Sequence, residues 1–265
     1  MKKTIESVKP IQFVNTIPGF AEAHPIIQST HLKRGWVEKN ALDAQQKRQE
    51  ALQSCPIHML KDKLMEAKYI ARCPGIREFL NTGYIVPLPC DIIIDTNGDG
   101  ITFKATDMAP RESSFKVGVH QKEQLHDYSP LPNNTLKDVV KIITCWNIIP
   151  DDRAVFLVTT PFYGNNESRF TVASGILDPF VSTQINIFLY WHVLQGREVV
   201  KAGTPIAQLI PIPRDFVTFP AACKTASEEE LIKIQAAFHT SKNSITNAVK
   251  DKRKEVVKKV FESKY

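Results

Sequence analysis

A chain of 265 residues with 43% hydrophobic content is long enough to bury a sizeable core in one large domain or two small ones. Its net charge of +6 and pI near 9.0 favour an acidic partner but are too moderate to specify nucleic acid. No run of about 18 apolar residues is available for a membrane span, and the opening MKKTIESVKPIQFV lacks the apolar stretch of a secretory signal, so a soluble protein made inside the cell is expected. Cys55, Cys73, Cys90, Cys145 and Cys223 are odd in number and far apart, which fits reduced thiols rather than a disulfide framework.

Residues 1–54 read as an extended arm. They are polar, with isolated Phe13, Phe20 and Trp36, and Pro10, Pro18 and Pro25 discourage helix. One helix is predicted inside the arm, Glu38 to Gln53, where Ala, Leu and Gln dominate. Such an arm either wraps its own domain or grips another subunit.

Residues 55–220 carry the fold. Short helices are predicted at Lys61 to Tyr69 and Gly75 to Leu80, followed by GYIVPLPCDIIIDTNGDGITFKAT, which reads as strand, strand, turn, strand. Further strands are expected at Ser114–Val119, Val139–Ile148, Ala154–Thr160, Phe170–Ala173, Thr183–His192, Arg197–Val200 and Ile206–Ile210. Short strands with turn signals and no helical crossovers indicate a mainly β fold, a closed barrel or a sandwich, rather than a doubly wound parallel sheet. The stretch VVKAGTPIAQLIPIPR, Val199 to Arg214, reads as the closing corner of a β-barrel. Gly203 can take a positive φ, Pro205 fixes the start of the next strand, and Pro211 and Pro213 are expected to stop ladder pairing beyond it.

Residues 221–265 form a helical, basic tail. Ser227 with Glu230 is a capping box, and three glutamates suit the positive end of the helix that follows. After a break around Ser241 to Ser244, an apolar stripe of Ile245, Val249, Val256, Val260 and Phe261 runs beside Lys250, Lys252, Arg253, Lys254, Lys258 and Lys259. These cations are the candidate nucleic-acid or partner-binding residues; the alternative is a solvated helix face.

Several motifs bear on chemistry. DTNGDG, Asp95 to Gly100, spaces oxygen-bearing side chains as calcium loops do, but position twelve is Thr106, and a tight hairpin turn is the better reading. Cys55, His58, Cys73 and Cys90 offer zinc-type ligands without knuckle spacing, so no metal site is assigned. His120, His126 and Asp127 read as a polar surface loop, Asp151 and Asp152 as a turn after Pro150, and Trp146 and Trp191 as core anchors. There is no Gly-x-Ser-x-Gly elbow and no glycine-rich phosphate loop before a helix.

SGILDPFVSTQINIFLYW followed by VVKAGTPIAQLIPIPR resembles the last third of the trimeric dUTPase family, with its Gly-Val-Ile-Asp strand and Gly-Asp-x-Ile-Ala-Gln-Leu corner. That resemblance implies a β-clip type of fold and places Asp178 where the family's water-activating aspartate stands. The family's next acidic residue and its deoxyribose-stacking tyrosine correspond to Phe180 and Val181, no Arg-Ser-Gly motif precedes Gly175, and Gly203 is the last glycine, which leaves no glycine-rich phosphate-closing arm. A broader pattern is similar to uncharacterised proteins of tailed bacteriophages: Trp146, Pro150, Pro161-Phe162, Gly175-Ile176-Leu177-Asp178, Asn186, and Gly203 through Gln208 to Arg214.

The resulting expectation is a non-enzymatic phage protein, an accessory virion component with no cofactor and no membrane partner. It would be made in the host cytoplasm and bind other phage proteins or copies of itself. The alternatives are a dUTPase-like enzyme using Asp178 and a basic adaptor contacting nucleic acid through the tail.

Overall fold

The computed structural model describes residues 10–15, 17–54, 73–111, 113–121, 123, 131, 134–162, 167–214 and 223–242. Contacts divide the chain into two units, Met1–Lys47 with Lys68–Val217 and Arg48–Ala67 with Thr218–Tyr265.

The first unit is mainly β, with every strand pairing antiparallel. In chain order its strands are β1 (Phe13–Asn15), β2 (Ile27–Gln28), β3 (Tyr84–Pro87), β4 (Ile92–Asn97), β5 (Phe103–Asp107), β6 (Lys116–His120), β7 (Val139–Ile148), β8 (Ala154–Thr159), β9 (Phe170–Val172), β10 (Gly175–Leu177), β11 (Gln184–Trp191), β12 (Gln195–Val200) and β13 (Pro205–Pro213). They form three sheets. One has β11 between β7 and β9, with β6 and β1 sharing the far edge of β7. The second runs β10-β8-β13-β3-β2, and the third runs β12-β4-β5.

Among the described residues no sheet closes on itself, so of the barrel and the sandwich expected from the sequence the barrel is not formed. The reason lies in the Gly203 corner. Strand β12 pairs with β4 and β13 pairs with β8 and β3, so the corner hands the chain from one sheet to another instead of joining consecutive ladder strands. Gly203 adopts φ 80 there, and its N–H donates to the Leu88 carbonyl at 2.7 Å while Leu88 N–H donates back to the Thr204 carbonyl at 2.8 Å.

All three sheets contribute to one core, including Ile92 and Ile94 of β4, Ile142 and Trp146 of β7, Phe156 of β8, Ile185, Ile187, Leu189 and Trp191 of β11, and Ile206 to Leu209 of β13 apart from the polar Gln208. Strand β11 shows the cause directly. Its apolar residues at every second position are buried, while Gln184, Asn186, Phe188 and Tyr190 between them are half-buried. Trp191 stacks on Phe170 with ring centroids 6.1 Å apart, and Trp146 is also buried, so both tryptophans are core anchors. Gln208 is fully buried in the centre of β13 and satisfied: its Nε2 donates to the Thr82 carbonyl at 2.8 Å and its Oε1 accepts the Phe162 N–H at 3.2 Å.

The clearest departures from the expected strands are at the end of β13 and at Cys90, inside the run read as strand, strand, turn, strand. Strand β13 continues through Pro211 and Pro213, which pair with Phe156 and Ala154 of β8. Pairing with β3 ends at Leu209, so beyond it β13 has a single neighbour; two prolines at a spacing of two remove donors from one side of the strand only. Cys90 lies at a bend between β3 and β4 rather than in a strand.

The amino-terminal segment wraps its own unit. Strand β1 adds to β7 and β2 adds to β3, so two short pieces of the arm extend two different sheets. Between them lies α1 (Phe20–Ala23), and after β2 comes a 3₁₀ turn, Ser29–His31. Helix α2 (Gly35–Ser54) starts three residues earlier than Glu38, and α3 (Pro74–Leu80) begins with proline at its first turn, where the missing N–H costs nothing. The helix expected at Lys61 to Tyr69 lies outside the described residues.

In the second unit, α4 (Glu228–Lys242) opens on the capping box read from the sequence. Glu230 N–H donates to Ser227 Oγ at 3.3 Å, and Ser227 N–H donates to Glu230 Oε2 at 3.0 Å. Lys224 adds an ion pair at 2.7 Å, and together these hold the Glu230 carboxyl down to about 2. Among the described residues no helix is long and apolar enough to cross a membrane.

Candidate interaction site

The motif that carries Asp178 folds into a displayed corner. Strand β10 is an edge strand with a single neighbour, β8, in the register Gly175↔Val158 to Leu177↔Phe156. Asp178 follows and turns the chain. Its carbonyl accepts the Val181 and Ser182 N–H groups, both at 2.9 Å, and its Oδ1 accepts the Phe180 N–H at 2.9 Å, as an aspartate before proline does at a turn.

Arg214, just past the end of β13, clamps the same carboxylate with both terminal nitrogens. Nη1 donates to Oδ2 at 2.8 Å and Nη2 to Oδ1 at 2.6 Å. The guanidinium also lies over the Phe180 ring, 4.7 Å from its centroid. The Arg214 hydrogen bonds, helped by the Phe180 N–H, hold the Asp178 carboxyl down to about 2, and Asp178 in turn raises the Arg214 guanidinium. Both Asp178 oxygens are therefore committed. A carboxylate so acidic and doubly engaged is a weak base for activating water, and it acts here as the pin of a turn.

Beyond that pin stand the apolar side chains. Ile176 is 60% exposed, Phe180 61% and Val181 86%. Phe180 and Val181 occupy the positions at which the resemblance noted above expects an acidic residue and a stacking tyrosine. The corner therefore presents hydrocarbon where that chemistry expects polar and aromatic groups. Burial of each such side chain against a partner is worth roughly 1.5–3 kcal/mol, and exposed clusters of this kind mark interaction surfaces.

The remaining candidates are distributed as follows. DTNGDG is the β4–β5 hairpin turn, with Gly98 at φ 86 and Gly100 at φ 67. Asp99 closes it, Oδ1 accepting the Ile101 and Thr102 N–H groups at 2.6 and 2.9 Å and Oδ2 accepting the Thr102 hydroxyl at 2.6 Å, which drives its carboxyl far below the usual range. Asp95 instead pairs with Arg197 across β4 and β12 at 2.6 Å. Asp151 caps its own turn by accepting the Arg153 N–H at 3.0 Å and pairs with the Arg153 side chain, which joins the expected turn. Burial pushes the Cys90 thiol up to about 11, leaving it protonated, and Cys73 is exposed elsewhere. His120 ends β6 with its ring 4.7 Å from that of Phe188, in a strand rather than a loop.

Cys55, His58, His126 and Asp127 lie outside the described residues, as do the tail cations Lys250, Lys252, Arg253, Lys254, Lys258 and Lys259. Sequence reasoning missed Arg214 as the partner of Asp178; the two are 36 residues apart, and only the pairing of β10 and β13 with opposite edges of β8 brings them together. No protein-family model matches the chain, and no curated protein matches it.

Proposed function

We propose that this protein is a non-enzymatic interaction component of a tailed-bacteriophage particle, docking through the β10 corner onto another virion protein or a second copy of itself. The observation that carries the reading is the exposed Ile176, Phe180 and Val181 surface held in shape by the Asp178–Arg214 clamp. Apolar side chains displayed on a rigid, ion-paired turn beside an open strand edge offer both hydrophobic area and unpaired backbone groups to a partner. The phage setting rests on the resemblance carried by Trp146, the Gly175 to Asp178 segment and the Gly203 to Arg214 corner. For the finer architecture we read the three sheets as a sandwich of the dUTPase-like or β-clip kind, supported by the Gly203 corner and the shared core.

Mass spectrometry of purified particles of the encoding phage tests the setting: the chain is expected among the virion proteins, and its absence would overturn the assignment. A parallel incubation with deoxyuridine triphosphate and magnesium is expected to release no pyrophosphate. Release that Asp178→Asn abolishes would instead support a hydrolase.

A further inference from the structure

We infer that a basic cavity between the arm and α3, distinct from the β10 corner, binds a small phosphomonoester. The cavity holds about 360 Å³. His31, Lys33, Arg34 and Arg77 line it with Asn81, and among the described residues Glu38 is the one carboxylate in its wall. Lys33, Arg34 and Arg77 against Glu38 leave a surplus of two positive charges, which matches the charge of a phosphomonoester near neutral pH.

Arg34 is the residue that points to a ligand. It is 6% exposed, yet every acceptor it has is neutral. Nη1 donates to the Ser29 and Leu32 carbonyls at 3.0 and 3.4 Å, Nη2 donates to Ser29 Oγ at 3.0 Å, and Nε is buried with no partner. Burial lowers its pKa, and no neighbouring carboxylate offsets that effect. A buried guanidinium without a counter-ion is costly to keep unless a charge of the opposite sign completes the site. Glu38, one helical turn along α2, forms no ion pair with it among the described residues.

The surroundings favour an anion further. Arg34 immediately precedes α2, so the positive end of a 20-residue helix faces the same locality. The carbonyls at the end of the seven-residue α3 are already occupied: Asn81 N–H and Thr82 N–H take those of Arg77, Glu78 and Phe79, and Ser29 Oγ takes that of Leu80. Two guanidinium groups and an ammonium suit tetrahedral phosphate oxygens better than a single planar carboxylate. The cavity exceeds a bare phosphate in size, and Val37 and Leu80 in its wall supply apolar contact for the organic part of an ester.

Calorimetric titration of the full chain at low salt with phenyl phosphate, inorganic phosphate and benzoate tests the site. Phenyl phosphate is expected to saturate, inorganic phosphate to bind more weakly, and benzoate to bind at least about tenfold more weakly than phenyl phosphate. Arg34→Gln should abolish saturation. Because that variant removes a buried group and can fail to fold, Arg77→Gln and Lys33→Gln carry the test at exposed positions. Each should melt like the parent without ligand and bind phenyl phosphate about fivefold more weakly. Absence of saturation by the parent protein at about 10 mM ligand, unchanged affinity in both exposed variants, or benzoate binding as tightly as phenyl phosphate would overturn the assignment.

Discussion

Strands β10 and β11 are neighbours in sequence and are both rich in apolar residues, but they use them in opposite ways. Strand β11 lies between β7 and β9, and Ile185, Ile187, Leu189 and Trp191 disappear into the core. Strand β10 has one neighbour, and its Ile176, with Phe180 and Val181 of the following turn, faces solvent. The interior strand needs no ionic support because its position is over-determined by packing on both sides. The edge needs the Asp178–Arg214 clamp to keep an otherwise unfavourable surface in one shape. Hydrophobicity alone therefore does not say which strand builds the fold and which one displays a surface; the number of neighbours does.

The contrast is broken most severely from the inside. Ile187→Ala, at a fully buried position of β11, is expected to cost about 2–5 kcal/mol, read as a fall in the urea midpoint without a change in slope. Next comes the backbone junction between α3 and β3. Gly83 adopts φ 79, and an added Cβ would stand 2.2 Å from the Leu209 carbonyl oxygen of β13, so Gly83→Ala should destabilise by about 2–3 kcal/mol in the same assay.

At the corner, Asp178→Asn removes the clamp and has a smaller effect that depends on pH. The native carboxyl sits at about 2, below its ordinary value of 3.8, so the unfolded chain takes up the proton first as pH falls. The advantage of the parent protein over the variant should be constant above about pH 5, shrink as acid is added, and vanish only below about pH 2, under both the unfolded and the native values. An advantage that grew with acid would contradict the clamp. The smallest effect on stability and the largest on association belong to Val181→Ser combined with Phe180→Ser. The melt should move by no more than about 1 kcal/mol, the scale of the lost Arg214–Phe180 contact, while self-association or capture by the partner proposed above, followed by sedimentation, should be lost.

Much of the strand pattern was legible in the residues themselves. The ten-residue run of β7 and the alternation of β11 announce strands because burial on one or both faces requires that spacing, and the Ser227 and Glu230 cap fixed the start of α4. Strands β1 and β2 escaped because two or three residues among prolines carry no period; only their docking on β7 and β3 makes them strands. The prolines at 211 and 213 misled for a related reason, since whether a missing donor matters depends on which edge is vacant. At the candidate sites, Asp178 was visible by motif but its guanidinium partner was not. The burial of Arg34 follows from the fold of the arm onto α3 and has no local signature.

The way the arm is tied down also bears on how the chain is made. Strand β2 pairs with β3, but β1 must wait for the far end of β7, which emerges from the ribosome much later. Strand β3 in turn joins its sheet only through β13, which is made later still, so both pieces of the arm wait for strands synthesised long after them. A nascent chain halted before Trp146 would carry Phe13 with no strand to receive it, and its arm should still be open to proteolysis at that stage of synthesis.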